Sequence, residues 1–470
     1  MTAGGKRCTL PTPSPIPLIR QNMNFARLRA PALALGLLAF ALNAAPAPLA
    51  SQSSPVTDPR VEELLDQISP DRMAEYLKAL TDLDTRHSMS LGEGPARGVE
   101  PAREYILEMF RSFSDRLMAE LDCYTIPAQG RIPGEVELCN VVAVLPGRSD
   151  RRVYVSGHYD TVARRADTGS FDWDRWDNPA PGANDDGSGT VLTMELARVF
   201  SQSGMNFDAT LVFAALVAEE EGLVGATLHA QKAVRDSLRI DAVFNNDIIG
   251  NSVGGNGILD SRTVRVFSEG PEDSMSRQMA RFIQRWAAPY VPGHEVRLIA
   301  REDRFGRGGD HTAFNRLGYP GVRFSESREN YSRQHTPEDT FDGVDFDYLA
   351  RNARVNAAGV ATVSLAPPAP VVDMGRGPLL GRGESGYAAH LRWQESPGAA
   401  GYRIVWRETW SPDWQHEIFV GPSTEYVFGD ISIDDYTFGI AAVGPGGHES
   451  LVHPYVRPPR TFVPVREIGR

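Results

Sequence analysis

An alternation in the middle of the chain limits the fold more than any other feature. Short apolar runs at Arg152 to Ser156, Ala209 to Ala218, Ala242 to Asn246 and Gly321 to Phe324 are separated by stretches with helical spacing, Gly189 to Phe200, Leu223 to Val234 and Ser274 to Ala287. Uninterrupted apolar runs of this length fit strands buried on both faces. Strands alternating with helices imply an α/β unit with a mixed, largely parallel sheet and helices on both faces. Loops leaving the carboxyl ends of such strands are where ligands bind. Two further helical patterns, over residues 59–82 and 98–115, precede this region.

The α/β unit is expected to span residues 55–365, because Ala366-Pro367-Pro368-Ala369-Pro370 then opens a stiff extended linker over 366–378. Beyond it, over 379–470, the texture changes to short alternating runs at Leu391 to Trp393, Gly401 to Trp406, Glu425 to Phe428 and Tyr436 to Val443, divided by Pro, Gly, Ser and Asp. That pattern predicts a small antiparallel β-sandwich. The placement of Trp393, Tyr402, Tyr436, Phe438, Ile440 and Ala442 resembles a fibronectin type III domain. Trp410 and Trp414 fit either loop aromatics covering a small core or a carbohydrate-stacking surface.

At the other end, Arg27 and Arg29 precede the apolar run Ala30 to Leu42, and Ala45-Pro46-Ala47 supplies small residues for cleavage. Residues 1–50 are therefore read as an N-terminal extension and signal peptide, and the mature protein as exported, periplasmic or secreted. The run is too short to span a bilayer, so no membrane insertion is expected after cleavage. A formal net charge of −12 gives no electrostatic support for nucleic-acid binding. Cleavage would leave Cys123 and Cys139 in a compartment that permits disulfides. They flank a turn signal at Gly130 to Gly134, where a hairpin would bring them together; two unlinked thiols is the alternative.

Five groups of chemistry-bearing residues fall at strand exits or in loops: His158-Tyr159-Asp160, Asp185-Asp186-Gly187-Ser188-Gly189, Glu219-Glu220-Glu221-Gly222-Leu223, Asn246-Asp247 and Gln334-His335-Thr336. Carboxylates gathered in one place repel one another and resist ionisation unless a cation compensates them. A divalent metal supplies that charge, and imidazole with carboxylate suits zinc.

In this combination the motifs resemble the bacterial leucyl-aminopeptidase-like members of the zinc metallopeptidase clan that also contains glutamate carboxypeptidase, transferrin receptor and glutaminyl cyclase. The resemblance spans roughly residues 60–365. It implies two zinc ions per chain, with His158, Glu220, Asp247 and His335 as terminal ligands and Asp185 as the bridge. It further implies that Glu219 is the general base, that Asp160 orients the His158 imidazole, and that the peptide bond between Asp185 and Asp186 is cis. Related dimerising exopeptidases carry a lid domain before the last histidine. Here one helix, two strands and a loop are expected to fill the interval from Asp247 to His335.

The resemblance thus implies a peptide substrate and a metallo-exopeptidase, an aminopeptidase first. A carboxypeptidase or dipeptidase, a glutaminyl-cyclase-like acyltransferase and an inert extracellular binding protein are the alternatives. Asp310, in Gly309-Asp310-His311-Thr312, is expected to fix a loop. Arg301, Arg304 and Arg307 are read as a solvated basic loop, with recognition of a substrate carboxylate as the alternative. Tyr331 is the candidate for stabilising the tetrahedral intermediate, although Gln334 holds the place where relatives have tyrosine.

Overall fold

The computed structural model describes residues 55–457 except positions 166, 172, 174, 175, 177, 374, 376 and 377. The expected signal peptide lies outside the described residues. The helical spacing over 59–82 resolves into two helices, α1 (Pro59–Leu65) and α2 (Pro70–Thr81). Proline disfavours helical backbone at the residue before it, and Ser69 instead caps α2, its hydroxyl accepting the Arg72 N–H at 3.3 Å. Helix α3 (Val99–Phe113) follows, then the strands β1 (Met118–Ile126) and β2 (Val136–Leu145). These two pair as an antiparallel hairpin with Cys123 directly opposite Cys139, and a disulfide joins them.

The α/β elements come next: β3 (Arg152–His158), α4 (Ser188–Gln202), β4 (Thr210–Leu216), α5 (Val224–Arg235) and β5 (Ile240–Asn246). The chain continues through β6 (Thr263–Ser268), α6 (Met275–Trp286), β7 (Glu295–Ile299), α7 (His311–Asn315), β8 (Gly321–Glu326) and α8 (Phe346–Leu365). Eight strands form one sheet in the order β1-β2-β4-β3-β5-β8-β6-β7. The central run β4-β3-β5-β8 is parallel, whereas β1 with β2, β2 with β4 and β6 with β8 are antiparallel. The interval from Asp247 to His335 holds three strands and two helices, α6 and α7, rather than the expected two strands and one helix, because β6 and β7 add an edge beyond β8. No lid-sized insertion lies there.

Alternation along the strands assigns side chains to the two faces. Val153, Val155, Leu211, Phe213 and Ala215 join the large core beneath α1 to α4, α6 and α8. Tyr154, Val212, Ala214 and Leu216 point the other way, toward Ala226, Ala230 and Ala233 of α5 and Phe314 of α7.

The C-terminal strands are β9 (Ala389–Arg392), β10 (Gly401–Glu408), β11 (His416–Phe419), β12 (Glu425–Phe428), β13 (Tyr436–Val443) and β14 (His453–Pro454). They form two antiparallel sheets, β11-β10-β13-β14 and β12-β9, around a separate core containing Trp393, Tyr402, Ile404, Trp406, Phe438 and Ile440. Of the two loop tryptophans, Trp410 is exposed. Trp414 is buried against α6, where its indole N–H donates to Gln278 Oε1 at 2.9 Å, so it serves the contact between the two cores. Arg407 with Asp273 at 2.6 Å and Arg285 with Glu417 at 2.9 Å extend that contact.

Candidate metal centre

Parallel strands deliver the site. His158 is the last residue of β3, Glu219 and Glu220 follow β4, and Asp247 follows β5, so the three groups emerge side by side at the carboxyl edge of β4-β3-β5. Asp185 enters from the turn before α4, and His335 from the loop after β8. The structure therefore brings all five expected ligands to one place.

Within the cluster, Asp185 lies between the two imidazoles. Its Oδ1 is 3.3 Å from His158 Nε2, and its Oδ2 is 2.8 Å from His335 Nε2. Glu220 Oε1 stands 3.0 Å from His335 Nε2, and Asp247 Oδ1 3.9 Å from His158 Nε2. Asp185, Glu220 and His335 form one group able to hold an ion, while a second combines His158 and Asp247 with Asp186. Asp186 is otherwise engaged: Oδ1 accepts the N–H of Gly189 at 2.9 Å and of Ile248 at 3.2 Å, and Oδ2 accepts the N–H of His158 at 3.0 Å. That leaves Asp185 Oδ1 as the carboxylate oxygen facing the second group. The Asp185–Asp186 peptide bond is cis.

Chemistry and burial both fit a divalent cation. His158 Nε2 and Glu220 Oε1 are buried without a hydrogen bond among the described residues, which is costly unless a cation faces them, whereas Asp247 Oδ1 has the Arg323 guanidinium 2.8 Å away. The donors are imidazole nitrogen and carboxylate oxygen, the set that zinc takes.

Asp160 meets His158 mainly through its main chain: His158 Nδ1 is 3.1 Å from the Asp160 carbonyl oxygen and 3.5 Å from Oδ1. The Asp160 carboxylate instead accepts the backbone N–H groups of Glu219 and Glu220, each at 3.2 Å. One side chain thus sets the adjacent pair. Burial, reinforced by Asp247, Glu220 and Asp310 and opposed by His158, raises the Glu219 pKa well above the carboxylate value. Burial works against charge on His335, yet Glu220 and Asp185 raise its pKa to about 10. Burial also disfavours the Asp185 carboxylate, but His335 and His158 hold it well below its usual range.

Small residues let these segments meet. A Cβ on Gly189 would stand 2.2 Å from the Asn246 carbonyl oxygen and 2.5 Å from Asp186 Oδ2, closer than real side chains approach.

A model of peptidase family M28 matches residues 140–360. Over 436 residues the chain is 34% identical to a protein of Pyrenophora tritici-repentis described as a probable zinc metalloprotease, covering 85% of this chain and 87% of that protein. The chain belongs to peptidase family M28. A Pyricularia oryzae protein described in the same words is also 34% identical, covering 85% of this chain and 84% of its own length. Among solved structures, the Legionella pneumophila LapA aminopeptidase shares the fold at a TM-score of 0.51 and 20% identity, over 67% of this chain and 78% of LapA.

Several residues that support this M28 site carry no signal in the motifs. Asp339 accepts the N–H groups of Asn184 at 3.0 Å and Asp185 at 2.9 Å, fixing the turn that presents Asp185. Arg86, fully buried, donates to the carbonyls of Tyr159, Pro181 and Gly182 and so ties the strand β3 exit to the same turn. Arg323 Nη2 lies 2.8 Å from Asp247 Oδ1 and donates to the Asp247 carbonyl at 3.1 Å, while Nη1 reaches Asp303 at 3.1 Å.

Other expectations change in the M28 structure. Arg304 is buried and paired with Asp303 and Glu329 rather than solvated; Arg301 and Arg307 are exposed. Neither carboxylate oxygen of Asp310 has a hydrogen-bond partner among the described residues, so its side chain does not tie down a loop. Burial, with Asp160 and Asp247 adding and His158 opposing, pushes its pKa up to about 8. Tyr331 is largely exposed, whereas Gln334 donates to Asp185 Oδ2 at 3.0 Å and is the neighbour of His335 that touches the cluster.

Proposed function

We propose that the chain is an exported zinc exopeptidase, an aminopeptidase that removes N-terminal residues from peptides. The observation that carries this reading is the placement of Asp185, one carboxylate oxygen toward each histidine, as a bridging ligand requires. On this reading His158, Asp247 and Asp185 hold one zinc ion, and His335, Glu220 and Asp185 hold the second. Bound there, the two ions would polarise the scissile carbonyl and acidify water.

The chain's own part is proton transfer and positioning. Glu219 takes a proton from the attacking water at a carboxylate oxygen as the new C–O bond forms, and returns it to the amine nitrogen as the C–N bond breaks. Asp160 holds Glu219 and Glu220 through their backbone N–H groups, so base and ligand keep a fixed relation.

Support for an aminopeptidase comes from the sequence resemblance and from the name of the LapA neighbour, whose likeness is one of fold. Export rests on the pattern of residues 23–50. The fibronectin type III-like reading of the C-terminal strands rests on their aromatic spacing, with Trp393 and Tyr402 in ring contact at 5.3 Å. Zinc content of purified protein, measured together with hydrolysis of a panel of amino-acid nitroanilides, tests the proposal. Two zinc per chain with cleavage of free-amine substrates is the expected result. Cleavage confined to substrates with a blocked amine and a free carboxylate would replace it with a carboxypeptidase.

A further inference from the structure

A bridging role for Asp185 depends on how its carboxylate is turned. The terminal torsion of an aspartate is soft and roughly two-fold, so nothing within the side chain obliges one oxygen to face each ion position. Asp339 fixes the backbone of the turn through the N–H groups of Asn184 and Asp185, yet a fixed backbone leaves the carboxylate plane free to rotate.

One neutral donor holds that plane. Buried Gln334 donates from Nε2 to Asp185 Oδ2 at 3.0 Å, and His335 Nε2 lies 2.8 Å from the same oxygen. Neighbouring residues in regular backbone send their side chains in different directions. His335 departs from regular backbone: its φ of 57° is left-handed, which a non-glycine residue adopts where its surroundings enforce it. The turn is held from both sides. The N–H groups of Arg333 and Gln334 donate to the Asn330 carbonyl at 3.0 and 3.2 Å, and the Arg164 N–H donates to the His335 carbonyl at 2.8 Å. Two adjacent side chains thereby converge on one carboxylate oxygen. The imidazole has a lone pair to offer a metal, whereas the amide N–H group only donates, so its bond serves the carboxylate.

Resting on the bridging reading of Asp185 above, we infer that Gln334 is a positioning residue for the metal centre. Its amide locks the Asp185 carboxylate with Oδ2 toward His335 and Glu220 and Oδ1 toward His158 and Asp247. The residue type matters, because a ligating carboxylate is tuned by the group that hydrogen-bonds it. At the place where relatives have tyrosine, this chain has a donor that carries no charge and does not titrate, so it adds nothing to the repulsion among the gathered carboxylates.

The test is zinc binding to chelated full-length protein, titrated in buffers of set free zinc, with hydrolysis of leucine p-nitroanilide followed in the same samples. Gln334→Met keeps the length of the side chain and removes the donor; Gln334→Asn keeps the amide and draws it back by one methylene. Each variant should weaken one of the two zinc-binding steps by roughly ten- to a hundredfold, the usual cost of losing a hydrogen bond to a metal ligand. Turnover lost at limiting zinc should return as free zinc is raised. Circular dichroism of the chelated proteins shows which variants are folded, and the asparagine variant reads the same loss where the methionine variant is not. Zinc affinity at the wild-type level in the folded variants overturns the inference and leaves the two-ion reading intact. A turnover loss of about a hundredfold or more that excess zinc does not restore, with affinity unchanged, also overturns it, because that is the mark of a donor to the reacting carbonyl. A wild type that binds one zinc ion or none overturns both.

Discussion

Replacing Cys123 and Cys139 together by serine removes the one covalent cross-link among the described residues. The bridge closes a loop with a sequence separation of 16. In the chain-entropy account, a loop of this size restricts the unfolded chain by about 3 kcal/mol at 25 °C. The folded side should change little, because β1 and β2 face each other along the whole ladder from Met118 opposite Val144 to Ile126 opposite Val136. Urea unfolding followed by circular dichroism, on oxidised wild type and on the double variant, reads the difference. The expected result is a lower midpoint, a slope no shallower than wild type because the uncrosslinked unfolded chain exposes more surface, and a loss of about 3 kcal/mol. A loss below about 0.5 kcal/mol, the range of neutral surface changes, would refute the reasoning and show that the unfolded chain gains no freedom when the bridge is absent.

Glu219→Gln should lower turnover by about a hundredfold or more while zinc stays at the wild-type level, whereas Glu220→Gln should lose zinc; metal analysis beside kinetics separates the two. Arg323→Met removes the buried guanidinium shared by Asp303 and Asp247, leaving Asp303 only Arg304, and should cost about 3–5 kcal/mol in denaturant unfolding, with Asp303→Asn in the same background recovering part of it. Asp58 caps α1, and hydrogen bonds from Arg60, against the cost of burial, lower its pKa from 3.8 to about 2. A pKa depressed on folding contributes stability that is complete above pH 4 and is lost as pH falls toward 2, so Asp58→Asn should weaken the protein at neutral pH and flatten that acid limb in pH-dependent unfolding. Truncation after Leu365 removes no proposed ligand and should preserve small-substrate hydrolysis but lower thermal stability, because it strips Trp414 and Arg407 from α6; a stable truncated protein without activity would show that the sandwich completes the site.

The parts of this fold that could be read from sequence are those whose burial leaves a simple pattern. Strands β3, β4 and β5 are buried on both faces, so Val153 to Val155, Leu211 to Leu216 and Ala242 to Phe244 read as unbroken apolar runs, and the ligand motifs sit where those runs stop. Strands β1 and β7 were not legible: they close the two edges of the sheet, and residues such as Glu120, Thr125, Glu295 and Arg297 give them the look of loops. Helix α8 is buried on nearly every side, so it shows no amphipathic stripe to betray its period. At the site, ligand types and spacing pointed to the five residues now found together. Arg86, Asp339 and Arg323 leave no signature in the sequence because they act on backbone groups or carboxylates far away along the chain, and no local pattern records a partner that only folding brings near.

Asp186 binds the tips of three separate segments, through the N–H groups of His158, Gly189 and Ile248. All three bonds are between protein groups, so they hold these segments together whichever ion is bound. Loading and unloading ions then demands little rearrangement of the chain, and chelated protein should accept a replacement without refolding. Copper, cobalt and zinc would compete for the same ready-made seats, and the supply in the surrounding compartment, more than the fold, would decide which of them rides there.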